Sequence, residues 1–88
     1  MIVVDTREPF EYARSHVDGA INIPTAEFMT GDVPEKLKDT PKDEEIILYC
    51  ISGQRSNTCS MILRQYGFTN LKNGINEAQT RHLLAKQH

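Results

Sequence analysis

The 88 residues carry 12 acidic and 10 basic side chains, a net charge of −2, with 39% hydrophobic and 25% charged residues. That is the balance of one ordinary soluble domain with a modest core, and it gives no field that would draw in nucleic acid or an anionic membrane. No apolar run approaches the ~18 residues of a membrane span, and two cysteines nine positions apart make neither a zinc site nor a disulfide framework. There is no C-x-x-C, so a thioredoxin-like dithiol is excluded as well.

The chain opens on Ile2-Val3-Val4, a β-branched apolar run of the kind found in buried parallel strands, ended by Asp5-Thr6-Arg7. Pro9 suits the first turn of a helix that presents Phe10, Tyr12 and Ala13 as apolar surface. His16 to Gly19 read as a loop, and Ala20 to Ile23 as a second short strand stopped by Pro24. Thr25 is placed to cap a helix running through Met29 and closed by Gly31. The polar stretch 32–45 holds one short helical turn near Glu35–Lys38, and its Lys and Glu side chains read as a solvated face.

Ile46 to Tyr49 is the strongest buried strand in the chain. From Ser56 to Tyr66, apolar residues fall at Cys59, Ile62, Leu63 and Tyr66, one face of a helix, with Gly67 as its C′ residue. Thr69 to Lys72 reads as a last strand, and Asn76 with Gln79 caps a final helix through Leu83 and Leu84. Strands alternate with helices throughout. The expectation is an α/β domain spanning 1–88, with a mostly parallel sheet of about four strands and helices on both faces.

Ligands of such folds sit beyond the carboxyl ends of the strands, and Cys50 stands at that end of the strongest one. Gly53 permits the positive φ of a tight turn whose successive N–H groups converge as an anion nest. A helix beginning at about Ser56 aims its free N–H groups and dipole at the same point, and Arg55 adds a permanent positive charge. Each favours a thiolate, so the Cys50 pKa should fall well below the usual ~8.5. Cys50 is the candidate nucleophile. Cys59, on the apolar helix face, reads as a small core residue.

Arg55 follows Cys50 by five positions, a C-x4-R spacing one residue shorter than the C-x5-R of tyrosine-type phosphatases. The tighter ring suits a single anionic sulfur better than a phosphate. The loop Cys50-Ile-Ser-Gly-Gln-Arg-Ser56 resembles the active-site loop of single-domain rhodaneses, a sulfurtransferase family. Also similar are Asp5-Thr6-Arg7, Glu11-Tyr12, the segment from His16 through Gly19-Ala20 to Pro24, and Tyr66-Gly67-Phe68, in the family's order from Val4 to about Gly74. The short lead-in before Asp5 resembles the compact phage-shock-protein-E type, which implies a bacterial source. The family's Gly-Gly before the last helix stands as Asn73-Gly74, without the tryptophan that often follows.

The resemblance implies that Cys50 takes the outer sulfur of thiosulfate as a persulfide. The N–H groups of Ile51, Ser52, Gly53, Gln54, Arg55 and Ser56 would surround that sulfur, and Arg55 would orient the anionic donor. A thiophilic acceptor such as cyanide, a thiol or an acceptor protein would then remove the sulfur, with no metal and no cofactor. Ser52 and Ser56 either donate to the persulfide or cap the helix. Asp5 and Arg7, with Glu11, read as a structural ion-pair network. His16 is expected to make a local hydrogen bond, and His82 and His88 to be solvated.

A persulfide carrier serving a protein partner is the second reading; a small cysteine phosphatase or arsenate reductase, or an inactive interaction domain, stands behind it. A monomer is expected. With no signal peptide visible, the chain as written is expected in the cytoplasm, or in the periplasm if a leader was removed.

Overall fold

In a computed structural model, residues 1–87 are described; His88 lies outside them, and with it the expectation for that side chain. Four strands, β1 (Ile2–Asp5), β2 (Ile21–Asn22), β3 (Ile46–Tyr49) and β4 (Leu71–Ile75), form one sheet in the order β2-β1-β3-β4. Every pairing is parallel. Helices α1 (Pro9–Arg14), α2 (Gln54–Gln65) and α3 (Glu77–Ala85) connect or follow them, with 3₁₀ turns at Thr25–Phe28 and Glu35–Leu37.

Side-chain alternation along the two central strands divides the core between the faces of the sheet. Val4, Ile46 and Leu48 point to one face, where Cys59 and Leu63 of α2, Phe28, Leu37 and Phe68 cover them. Val3 and Tyr49 point to the other, against Val17, Ala20, Tyr12 of α1 and Leu84 of α3. Because both faces are covered, all four residues of β3 are buried, which is why that strand reads as an unbroken apolar run. The expected α/β architecture, with helices on both faces, is present.

Several boundaries differ from the expectation; β2 is limited to Ile21–Asn22 of the expected 20–23, and β4 begins at Leu71 rather than Thr69. Helix α2 starts at Gln54 rather than Ser56, because Gly53 at φ 88° makes the turn and its carbonyl takes the Asn57 N–H at 2.9 Å. Thr25 does not cap; it opens a 3₁₀ turn, and its hydroxyl donates to the Thr6 carbonyl at 3.1 Å. Strand β4 runs to Ile75 instead of ending at Lys72. Leu48 pairs with Asn73 and Tyr49 with Ile75, so Gly74 is the extra residue of a bulge. A Cβ on Gly74 would lie 2.1 Å from Thr80 Oγ1, and the left-handed residue here is Ile75 (φ 73°). The demands that only glycine meets cheaply therefore fall on 74 and 75, one position later than Asn73-Gly74.

At the carboxyl ends of β1 and β3, buried charge ties the strands together. Arg7 grips the fully buried Asp5 carboxylate, with Nη2 to Oδ2 at 2.7 Å and Nε to Oδ1 at 3.0 Å. The Tyr49 hydroxyl donates to the same carboxylate at 2.9 Å and accepts the Val17 N–H at 3.0 Å. Arg7 also donates to the Ser15 carbonyl at 2.7 Å and lies 3.2 Å from Glu77 of α3. Burial, more than its polar neighbours, pushes the Tyr49 hydroxyl up to about 12, so it remains a donor across the physiological range.

Asp5 and Arg7 are thus structural, as expected, and the cost of disrupting them should be asymmetric. Arg7→Met leaves a buried carboxylate without its cation and should destabilise the fold by about 3–5 kcal/mol in urea titration. Adding Asp5→Asn removes that charge and should recover part of the loss. If the double variant is no more stable than Arg7→Met, the pair does not act as a unit.

Candidate active site

Cys50 follows β3 directly, and its N–H continues the ladder by donating to the Ile75 carbonyl at 3.1 Å. The residue is only 2% exposed. The chain then turns through Ile51 and Ser52 to Gly53, whose left-handed backbone directs its N–H onto Cys50 Sγ at 3.1 Å. Ser56, fully buried in the first turn of α2, places Oγ 3.5 Å from the same sulfur. The nest expected around Cys50 is therefore closed by hydrogen bonding onto the sulfur itself.

Two opposed effects set the thiol's ionisation. Burial is the largest and raises its pKa, since a thiolate loses more hydration than a thiol. Against it act the Ser56 hydroxyl and the backbone N–H groups of Ser56, Gly53 and Ser52, which together bring the thiol down to about 7. Hydrogen bonding to the charged form wins. Cys59 has no such loop. It is fully buried on α2 against β1 and β3, and burial pushes it up to about 11, so it stays a neutral core thiol.

The other expected site residues separate into groups. Gly53 and Ser56 touch the sulfur, and Ser52 acts on it through its N–H. The Ile51 side chain is 59% exposed at the rim of the loop. Gln54 is exposed and offers its carbonyl to the Thr58 hydroxyl at 3.1 Å. Arg55 is half-buried, and its guanidinium is held by Glu11 of α1, with Nη1 to Oε1 at 2.9 Å and Nη2 to Oε2 at 3.3 Å.

That contact corrects the reading of Glu11 as a partner in the Asp5–Arg7 network: its hydrogen bonds go to Arg55 and to the Glu8 N–H at 2.9 Å. The bond from Arg55 is the main reason the Glu11 carboxyl is held below its ordinary range. His16 stacks on Tyr12 with ring centroids 3.8 Å apart, and its Nδ1 meets the Tyr12 carbonyl at 2.8 Å, a local role as expected.

In the sequence Asn73 stands out only as a departure from Gly-Gly, yet its amide spans the loop. Nδ2 donates to the Gly53 carbonyl at 3.0 Å, while Oδ1 accepts the Ser56 hydroxyl at 2.7 Å and the Ile75 N–H at 3.0 Å. Among the described residues there is no cluster of His, Cys, Asp and Glu that could hold a metal ion, and no helix long and apolar enough to cross a membrane.

The sequence profile of the Rhodanese-like domain matches residues 1–80. The chain belongs to the rhodanese-like family. Thiosulfate sulfurtransferase PspE of Escherichia coli is 35% identical over 72 residues, covering 80% of this chain and 64% of PspE. The putative sulfur carrier protein YrkF of Bacillus subtilis is 30% identical over 73 residues, covering 83% of this chain and 37% of YrkF. The chain thus spans less than two thirds of either relative. A solved structure described as a rhodanese with anions from E. coli superimposes with a TM-score of 0.75 at 29% identity, covering 89% of this chain and 88% of that one. The rhodanese-like fold expected from the loop is shown, and this family's named members include sulfurtransferases.

The two thiols should differ sharply toward a small alkylating reagent. Iodoacetamide should label Cys50 in the folded protein at a rate that rises with pH through a midpoint near 7 and then levels off, since only the thiolate reacts. Cys59 should remain unlabelled until the protein unfolds. Peptide mass analysis across pH 5–9 checks both; a Cys50 midpoint at or above the ordinary thiol value would contradict the loop's electrostatics.

Proposed function

We propose that this rhodanese-like domain is a sulfurtransferase that moves a sulfane sulfur through a persulfide on Cys50, with thiosulfate as donor and cyanide or a thiol as acceptor. The observation that carries the reading is the sulfur of Cys50 at the focus of the loop, receiving the Gly53 N–H at 3.1 Å at the start of α2.

The steps balance without any cofactor. The Cys50 thiolate attacks the outer sulfur of thiosulfate; a new S–S bond forms to Sγ, the donor's S–S bond breaks, and its electron pair leaves with sulfite. The terminal sulfur of the persulfide then carries the negative charge, and the same converging N–H groups and α2 N-terminus that favour the thiolate stabilise it. Cyanide attacks that terminal sulfur, thiocyanate departs, and the Cys50 thiolate is regenerated. A thiol acceptor would take the sulfur as its own persulfide. Because the enzyme is modified between the two half-reactions, the kinetics should be ping-pong.

Arg55 stands beside the sulfur as the positive group toward which the donor's sulfonate would orient. Its pairing with Glu11 offsets part of that charge. This favours, as a second reading, a persulfide carrier that serves a protein partner and turns over thiosulfate slowly; the similarity to a putative sulfur carrier protein supports it.

Thiocyanate formation tests the first reading. Cys50→Ser should abolish it, and the wild-type kcat/KM for thiosulfate should rise with pH through about 7 and then plateau, because the form that attacks the donor is the thiolate. Glu11→Gln should lower the KM for thiosulfate by exposing the full charge of Arg55. Turnover that survives Cys50→Ser would overturn the proposal. Slow turnover beside rapid loss of sulfur to an acceptor protein would favour the carrier.

A further inference from the structure

Asn73 leaves no freedom in how its amide is oriented. The Ile75 N–H can only donate and the Gly53 carbonyl can only accept, so Oδ1 faces Ile75 and Nδ2 faces Gly53. Oδ1 is therefore an acceptor toward Ser56, and while Cys50 is a thiol the single hydroxyl hydrogen of Ser56 points to it at 2.7 Å. The same Ser56 oxygen lies 3.5 Å from Cys50 Sγ. A Cys50 thiol can donate its S–H to the free lone pairs of Ser56. A thiolate has no hydrogen to give, and it must compete with Asn73 for the one on Ser56.

We propose that Asn73 is a positioning residue for Cys50: by holding the Ser56 hydroxyl hydrogen it limits how strongly Ser56 stabilises the thiolate, and so sets the pH at which the nucleophile forms. The effect passes through Ser56 rather than through the loop backbone. The Gly53 carbonyl also accepts the Asn57 N–H at 2.9 Å, so Gly53 remains anchored to α2 without the Asn73 amide. For a sulfur nucleophile this restraint is useful, because an over-stabilised thiolate attacks more slowly and the best attacking thiol titrates near ambient pH.

The charged and titratable groups around Cys50 do not supply the same control. Arg55 of α2 carries a fixed charge paired with Glu11 of α1, and Cys59 of α2 stays neutral. On the sheet, the Tyr49 hydroxyl is engaged with Asp5, and Lys72 of β4 pairs with Glu45.

The site belongs to the active centre of the proposed sulfurtransferase, but the test reads alkylation and needs no sulfur donor, so the two ideas fail separately. The pH midpoint of Cys50 labelling by iodoacetamide is measured for wild type, Asn73→Ala, Ser56→Ala and the double variant, with folding confirmed by circular dichroism. Asn73→Ala frees the Ser56 hydrogen for the thiolate and should lower the midpoint by roughly half a pH unit or more, the size of one modest hydrogen bond. Ser56→Ala should raise it, and the double variant should match Ser56→Ala.

Asn73→Asp, a stronger acceptor for the same hydrogen, carries the test in the opposite sense and covers the case in which Asn73→Ala does not fold. It should raise the midpoint, and by less when Ser56 is alanine. A midpoint that rises or stays put in folded Asn73→Ala would overturn the proposal. An Asn73→Asp shift that is absent, or unchanged by the loss of Ser56, would overturn it too.

Discussion

A carboxylate shut away from water at the end of β1 is expensive unless several donors meet it, and the fold is arranged so that they do. Asp5 receives the Arg7 guanidinium from the following turn and the Tyr49 hydroxyl from the end of β3. That convergence holds the carboxyl ends of the two central strands in register, with Asp5 beside Tyr49. Cys50 is the next residue in the chain. Arg7 reaches onward to the end of α1 and to α3, so the ring of elements around the sheet edge is bound to the same charge. Replacing a buried ion pair by well-packed apolar residues often costs little in stability; what the buried charges contribute here is a fixed geometry for the strand end that carries the thiol.

The site itself rests on an opposition between burial and hydrogen bonding. A cysteine that is 2% exposed should be a poor acid, and Cys59 behaves that way. Cys50 differs because its neighbours in sequence turn back on its sulfur: the Gly53 N–H and the first turn of α2 stabilise the charged form more than burial penalises it. The contrast between two buried thiols of one small domain follows from the hydrogen-bond donors around the sulfur, the Ser56 hydroxyl first and then the loop N–H groups, rather than from depth. Asn73 of β4 adjusts that balance through Ser56 of α2, and Glu11 adjusts the charge of Arg55 from the α1 side.

Much of this was legible in the sequence because local chemistry governs it. The apolar run of β3, the 3.6-residue periodicity of α2, the turn at Gly53 and the Asn76 cap, whose side chain accepts the Gln79 N–H at 2.8 Å, all express themselves within a few neighbouring residues. What escaped depends on contacts between distant segments. Glu11 meets Arg55 across 44 positions, and nothing near Glu11 announces the partner. Asn73 and Gly74 have turn-like composition, yet pairing with β3 holds them in a bulged strand. Ile75 adopts a left-handed conformation that its β-branched side chain disfavours, so its own preference pointed the wrong way. The loop's chemistry was readable, while the supports behind it were not.

The most direct test of Cys50 as a sulfur carrier is intact mass after incubation with millimolar thiosulfate, for wild type and Cys50→Ser, before and after cyanide. The account predicts a gain of one sulfur atom in the wild type alone, removed by cyanide with release of thiocyanate. A wild-type protein that keeps its original mass while Cys50 is demonstrably a free thiol would contradict it.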